Sequence, residues 1–402
     1  IYNHQTSIPN QTPPALIPRA LNHPPPPPSY RHPARGPKHH HPYYEAVMGI
    51  EVNPGMDKSN FRIVFSPEHG TSNIPVRTVL KRLGYDIVPV LAQCAPDPDY
   101  TNTASPNPEV PAAYDKAIKK AKEVDADVVF VCDPDGDRLG VVAKHEGEYV
   151  LMSGNQSAAV YLEYILSQMK EKGTLPGNAV MYNTIVTSDL GELVARSYGV
   201  DVEKTLTGFK FIGDKIRKYE KTHEKQFVFG YEESYGCVVK DFVRDKDAVQ
   251  AVRLAAEGGN FYKKQGKDLV DVLNELYAKH GTFKETQVAL SKAGAAGAAR
   301  IKEIMSNLRE EAPTEIAGFK VVMDEDYQTS ERHEGTNTTT IDLPKSNVLK
   351  YYLEDGSWIA ARPSGTEPKC KFYFSIKGKD AKEAEEKTTV FQKAVLEMIG
   401  EA

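Results

Sequence analysis

The sequence predicts an α/β protein of several domains: two mixed α/β units and a smaller α+β unit, preceded by a disordered tail. Three observations carry that expectation. A chain of 402 residues exceeds one ordinary core and points to two to four compact domains. From Phe61 onward, short apolar runs alternate with segments of helical periodicity, the rhythm of a sheet flanked by helices. After Gly318 the rhythm changes to successive strands closed by one helix. The expected divisions are a Pro/His-rich tail over 1–58, α/β domains over 59–150 and 151–290, a helical connector over 291–317, and the α+β domain over 318–402.

The tail is read from composition. Residues 1 to about 47 are rich in Pro, Asn, His and Gln, with Pro24 to Pro28 unbroken, and show no periodicity. Its basic stretch around Arg31, Arg35, Lys38 and His39 to His41 reads as solvated, without a function. Phe61 to Phe65 alternates as a strand and runs into Ser66-Pro-Glu-His-Gly-Thr71. Ile74 to Leu83 reads as a helix stopped by Gly84, Asp86 to Leu91 as a strand, and Pro111 to Glu123 as an Ala-rich helix. Asp127 to Cys132 is almost continuously apolar, as a buried parallel strand is. The second unit should hold a helix from Gly154 through Met169, a strand over Ala179 to Tyr182, a helix over Ser188 to Tyr198 and a strand over Gln226 to Phe229. In the last unit, strands are expected near Phe319 to Met323, Val348 to Glu354, Trp358 to Arg362 and Cys370 to Ile376, then a helix from Ala381 to Ile399.

Hydrophobic residues make up 40% and charged residues 26%, so most of the chain should fold. A net charge of −5 gives no general attraction to nucleic acid or to an anionic membrane surface. Cys94, Cys132, Cys237 and Cys370 are far apart and read as reduced, buried thiols. No run reaches the roughly 18 apolar residues of a membrane span, and no charged-then-apolar leader opens the chain. A soluble, cytoplasmic protein is expected.

Three loops carry chemistry. Asp133-Pro-Asp-Gly-Asp-Arg138 follows a buried strand, where ligands gather in open α/β sheets. Crowded carboxylates need a cation, and an all-oxygen donor set from Asp133, Asp135 and Asp137 favours Mg²⁺ over softer metals. A solvated Asp/Gly turn is the competing reading. Arg138 stands ready to meet a metal-bound phosphate. Gly230-Tyr-Glu-Glu-Ser-Tyr-Gly236 places Glu232, Glu233 and Ser234 at the end of a strand; these groups suit sugar hydroxyls, although acidic surface turns are commoner. Arg362-Pro-Ser-Gly-Thr-Glu-Pro368 has the parts of a phosphate cradle and equally those of a tight hairpin. Lys210, Arg244 and Lys246 would singly be solvated charges. No Gly-x-Gly-x-x-Gly follows the first strand, which excludes a dinucleotide-binding dehydrogenase.

Taken in order, these loops resemble the metal, sugar and phosphate loops of the phosphoglucomutase/phosphomannomutase (α-D-phosphohexomutase) family over about Phe61 to Ala402. His69-Gly-Thr71, Thr207-Gly-Phe-Lys210 and Arg244-Asp-Lys-Asp247 look most like the bacterial phosphoglucomutase branch that includes animal phosphopentomutases. The resemblance implies a Mg²⁺-dependent transfer of a phosphoryl group between C1 and C6 of a hexose phosphate through a bisphosphate, with glucose 1,6-bisphosphate as activator. Asp133, Asp135 and Asp137 would hold the metal, and Glu232 and Ser234 the sugar. Arg362, Ser364, Gly365 and Thr366 would grip the phosphate that is not reacting, supported by Lys210, Arg244 and Lys246.

The family's phosphoserine loop, Thr-Ala-Ser-His-Asn-Pro, belongs to a first domain for which no counterpart is expected upstream of Phe61. Thr103-Ala-Ser-Pro-Asn-Pro108 comes near, but Pro106 replaces the His and no apolar strand leads in. Ser105 is therefore read as a decoy, in a turn resembling the Pro-Asn-Pro-Glu turn of this branch's second domain. The expected partner is a phosphosugar, the residues being the last three domains of a mutase, either truncated or completed by a separate phosphoserine domain; the alternatives are a non-catalytic phosphosugar-binding fragment or pseudoenzyme and a phosphopentomutase.

Overall fold

The computed structural model describes residues 37–365 and 367–401. Thr366 and most of the expected tail, including Arg31 and Arg35, lie outside the described residues. The described residues from Tyr44 onward form one compact unit. The expectation of a structureless tail to residue 58 is corrected at its C-terminal end. Helix α1 (Pro37–Met48) ends in a stretch where Tyr44, Val47 and Ile50 are buried. The backbone amides of Val52 and Asn53 donate to Glu257, and Asn260 Nδ2 donates to the carbonyl of Asp57 at 2.9 Å. Apolar residues at three-residue spacing, scattered among prolines and histidines, escaped the compositional reading.

The first sheet runs β2-β1-β3-β4-β5 and is mixed, as expected. Its strands are β1 (Arg62–Ser66), β2 (Asp86–Pro89), β3 (Val128–Cys132), β4 (Leu139–His145) and β5 (Glu148–Met152). Strand β3 is buried at all five positions because β1 flanks it in parallel and β4 antiparallel. Helices α2 (Asn73–Arg82) and α3 (Asp115–Val124) return the chain between the parallel strands. Ala117 and Ala121 of α3 are small enough to let Val64, Val129 and Val131 close against that helix.

The second sheet, β7-β6-β8-β9, is built on α4 (Gly154–Glu171), β6 (Ala179–Thr184), α5 (Asp189–Ser197), β7 (Asp201–Thr205), α6 (Lys210–Thr222), β8 (Gln226–Tyr231) and β9 (Cys237–Val238). Helix α4 starts on a reciprocal cap in which Ser153 and Gln156 each satisfy the other's backbone amide. Two further helices follow, α7 (Ala248–Lys263) and α8 (Leu269–His280). Helix α7 packs on β3 and β4 of the first sheet, and a Cβ on its Gly259 would lie 2.6 Å from the Phe61 ring.

The third sheet is antiparallel, β10-β17-β16-β15-β12-β13-β14, with a short β11 beside β12. Its elements are β10 (Thr282–Ser291), α9 (Gly294–Glu310), β11 (Glu315–Ile316), β12 (Phe319–Asp326), β13 (Glu331–Glu334), β14 (Asn337–Thr340), β15 (Leu349–Leu353), β16 (Trp358–Pro363), β17 (Lys369–Gly378) and α10 (Ala381–Met398). Two expectations change here. The predicted connector is helix α9, whose Ile301, Ile304, Met305 and Leu308 belong to the core beneath the sheet. Strand β10, expected within the second unit, pairs with β17 from Thr282 to Ser291. Its half-exposed edge gave no clear alternation to read. The sheet's other face carries Trp358, Ala360 and Tyr373 against Ile185, Val186 and Leu206 of the second unit. All four cysteines are buried free thiols, as expected, and no helix among the described residues is long and apolar enough to cross a membrane.

Candidate metal and phosphosugar site

The Asp loop leaves β3 at its carboxyl end, and the structure brings its three carboxylates together. Oxygens of Asp133, Asp135 and Asp137 lie within 4.8 Å of one another; Asp133 is buried, Asp137 half-buried and Asp135 exposed. The loop rests on the turn after β1. Thr71 donates its amide to the Pro134 carbonyl at 2.8 Å and its hydroxyl to the Asp135 carbonyl at 2.9 Å. That contact explains two glycines. A Cβ on Gly70 would lie 2.4 Å from the Pro134 backbone, and Gly136 adopts φ +77° directly over Thr71.

Asp133 accepts the amides of Asp137 and Arg138 at 3.1 and 3.0 Å, and Arg138 Nε at 2.5 Å. Burial pushes its carboxyl up to about 6 against those bonds. Arg138 also donates to Asn107 at 3.1 Å and Glu109 at 3.2 Å. Sequence reading missed Asn107 and Glu109; the Pro-Asn-Pro-Glu turn was their only trace. Ser105 lies two residues before Asn107, half-buried, its carbonyl accepting the Thr103 hydroxyl at 3.2 Å.

The sugar loop is joined to the Asp loop by backbone. The Leu139 amide donates to the Tyr235 carbonyl at 3.0 Å, and Arg138 forms a bridge with Gly236. Glu232 receives the Gly208 amide at 3.2 Å and the Ser234 hydroxyl at 3.3 Å, while burial raises its pKa. Burial and the neighbouring Glu232 raise Glu233 further, to about 7, although the Thr184 hydroxyl donates to it at 3.0 Å. Lys246 crosses between the loops, its Nζ 2.9 Å from Asp137 Oδ2. Its stem occupies the space where a Cβ on Gly236 would sit, 2.1 Å from Cδ.

The other two expected cations make different contacts. Arg244 pairs with Glu220 of α6 at 2.7 Å, and exposed Lys210 lies over the Phe211 ring at the start of that helix. Near the end of β16, Arg362 NH1 makes a long 3.5 Å contact with the Tyr373 hydroxyl. The following turn is held by the Ser364 amide on the Lys369 carbonyl at 2.7 Å and the Glu367 amide on the Ser364 hydroxyl at 3.3 Å. Gly365 has open space around it. Where the sugar loop faces the third sheet there is a cavity of about 250 Å³, lined by Glu109, Asn155, Glu233, Ser234, Gln287 and Tyr373 among others. Gln287 donates to Glu109 at 3.1 Å across it.

Family signatures match in the same order as the loops. Phosphoglucomutase/phosphomannomutase alpha/beta/alpha domain II covers residues 41–147, domain III 153–280 and the C-terminal domain 291–393. The chain belongs to the phosphoglucomutase/phosphomannomutase family. It is 40% identical over 323 residues to a phosphoglucomutase of Staphylococcus epidermidis, covering 79% of this chain and 58% of the relative. To a phosphoglucomutase of Staphylococcus haemolyticus it is 37% identical over 342 residues, 83% of this chain and 61% of the relative. It thus spans about three-fifths of the length of such family members. The fold is similar to a phosphoglucomutase/phosphomannomutase family protein of Burkholderia thailandensis, with TM-score 0.62 and 20% identity over 90% of this chain and 64% of that one. Parafusin, a phosphoglucomutase of Paramecium in an open form, gives TM-score 0.61 and 18% identity over 89% and 60%.

Proposed function

We propose that this chain carries the metal-, sugar- and phosphate-binding parts of a phosphosugar mutase that moves a phosphoryl group between C1 and C6 of a hexose phosphate through a bisphosphate. The observation that carries this reading is the union of the Asp loop and the sugar loop, shared through the Leu139 to Tyr235 hydrogen bond and the Lys246 to Asp137 ion pair. The three aspartates fit Mg²⁺. Their donors are hard oxygens close enough to share one ion, and Asp135 is open to solvent. Mg²⁺, when bound there, offsets the negative charge of the transferring phosphoryl oxygens.

The remaining roles belong to the chain itself. Arg138 holds Asp133 in place through Nε, is itself held through NH1 by Asn107 and Glu109, and meets the phosphate with NH2. Glu232 and Ser234, already hydrogen-bonded to each other, orient sugar hydroxyls presented in either direction. Arg362, Ser364, Gly365 and Thr366 grip the distal phosphate, and glucose 1,6-bisphosphate is the activator. Lys246 supports the metal loop, whereas Lys210 and Arg244 act only if a bound phosphosugar draws them from their present positions. Glucose phosphate is the proposed substrate, with a pentose phosphate as the alternative.

No Thr-Ala-Ser-His-Asn-Pro occurs in these 402 residues, and the phosphoryl-carrying serine is proposed to lie in a phosphoserine domain outside them, on the same chain or a separate one. Ser105 is the one competitor, because Asn107 and Glu109 bring its loop to Arg138. Positioning groups without a nucleophile do not complete the reaction. A coupled assay with Mg²⁺, glucose 1-phosphate and glucose 1,6-bisphosphate, followed by mass spectrometry of Ser105, is expected to find no family-like turnover and no phosphoserine. Turnover abolished by Ser105→Ala would make this loop the active site.

A further inference from the structure

Lys350, on β15, is fully buried and belongs to none of the three loops. Its Nζ sits 3.8 Å from the Trp358 ring centroid and 4.6 Å from that of Tyr352. It donates at 2.8 Å to the carbonyl of Ile185, in the turn after β6 of the second unit. The surroundings are charged on every side. Lys204 on β7 is paired with Glu192 at 2.7 Å and Asp189 at 3.4 Å, both on α5, and Trp358 donates to Asp189. Tyr352 and Tyr327 both donate to Glu325 of β12, which Arg332 also meets. An apolar side chain of similar length would fill this volume without the desolvation cost of an amine. What the amine adds is a directional bond across the seam between the third sheet and the second unit.

The carbonyl it holds is one residue from the sugar loop's own support. Thr184 uses its hydroxyl to donate to Glu233 at 3.0 Å and shares a 2.8 Å bond with the Thr187 hydroxyl, which also receives the Thr184 amide. On the other side the Ile185 amide is fixed to the Thr205 carbonyl at 2.9 Å. The turn has little freedom of its own. We propose that Lys350 is a positioning residue for the sugar loop, acting through the Ile185 carbonyl and the Thr184 hydroxyl to hold Glu233 beside Glu232 and Ser234. The third sheet, which carries the phosphate loop, thereby fixes the groups that meet the sugar.

This inference rests on the phosphosugar reading for its ligand but not for its geometry. The test compares wild type, Lys350→Met, Thr184→Val and the double variant by titration with glucose 6-phosphate in Mg²⁺. Amide hydrogen exchange over residues 231–236 is followed in parallel without ligand. Lys350→Met, which removes one buried hydrogen bond, and Thr184→Val, which removes the hydroxyl's bonds to Glu233 and Thr187, should each weaken binding about tenfold or more, and the double variant no more than the worse single one. Exchange in the sugar loop should quicken in both, and Thr184→Ser should restore wild-type behaviour. Additive losses, or unchanged exchange in Lys350→Met, would overturn the inference. Thr184→Val changes only a hydroxyl to a methyl, so unchanged exchange in that variant overturns it even if Lys350→Met folds poorly. Absence of glucose 6-phosphate binding by wild type would instead sink the phosphosugar reading, leaving the exchange comparison to decide the role of Lys350.

Discussion

At the corner where the Asp and sugar loops meet, side chains tie one loop to another, whereas the described part of the loop after β16 is held by hydrogen bonds within its own turn. At the corner, Asp133 accepts three hydrogen bonds, Lys246 spans two loops, and glycines admit backbone where side chains would collide. In the loop after β16, Arg362 makes one long contact and Gly365 has empty space around it. On the proposed function, the difference follows from what each would hold. A small hard cation demands carboxylates set beforehand, because it binds by geometry. A phosphate on a sugar that reorients is better served by groups that gather around it and let go.

Substitutions can break that contrast. Asp133→Ala leaves Arg138 Nε and the amides of Asp137 and Arg138 without their acceptor, and should cost about 3 kcal/mol of stability as donors lose their partner, read by denaturant unfolding. Mg²⁺ should then no longer raise the melting temperature. Arg362→Ala should leave stability within about 0.5 kcal/mol, while glucose 1,6-bisphosphate affinity falls by about 1.5–3 kcal/mol for the lost charged hydrogen bonds. Equal stability losses in these two variants would erase the distinction. Gly70→Ala drives a methyl into the Pro134 backbone and should cost about 1–3 kcal/mol as overpacking, with Mg²⁺ affinity reduced and phosphate-loop exchange unchanged.

A pH dependence concerns the seam between the two regions. Burial first, then the nearby Lys204, depresses Lys350 to about 7 from 10.5, partly opposed by Asp189, Glu325 and Glu192. Between those values the unfolded chain holds a proton that the folded chain releases, so this residue's contribution makes stability rise with pH from about 7 toward 10.5. Lys350→Met should lack that part of the slope. Identical slopes in the two proteins would show that the amine is not held as described.

Consecutive residues explain what the sequence made legible. Asp133 to Asp137 follow an apolar strand within one short loop, so their meeting needed no tertiary knowledge, and Tyr231 to Gly236 were readable in the same way. Arg138 was named, yet its partners Asn107 and Glu109 come from a different loop and carry only ordinary turn chemistry. Arg244 pairs with Glu220 of α6, and Gly213 lets that helix approach the Arg244 carbonyl closely, contacts that its neighbours in sequence do not announce. Helix α9 was seen as a helix and misjudged as a connector, because Ile301, Ile304, Met305 and Leu308 declare a buried face only once a sheet lies against them. Lys350 gave no signal. A lysine in a strand is ordinarily exposed, and only Trp358 and Tyr352 around it reveal otherwise.

Titration calorimetry of glucose 1,6-bisphosphate against wild type, with and without Mg²⁺, and against Asp135→Asn tests the central claim most directly. Asp135 is exposed, so its substitution disturbs the fold little. Wild type should bind the bisphosphate with Mg²⁺ present, and either removing Mg²⁺ or introducing Asp135→Asn should weaken binding about tenfold or more, the loss of one charged contact. Equal affinity in all three titrations would mean that Asp133, Asp135 and Asp137 form an acidic turn without a metal, and that the Asp and sugar loops are not one site.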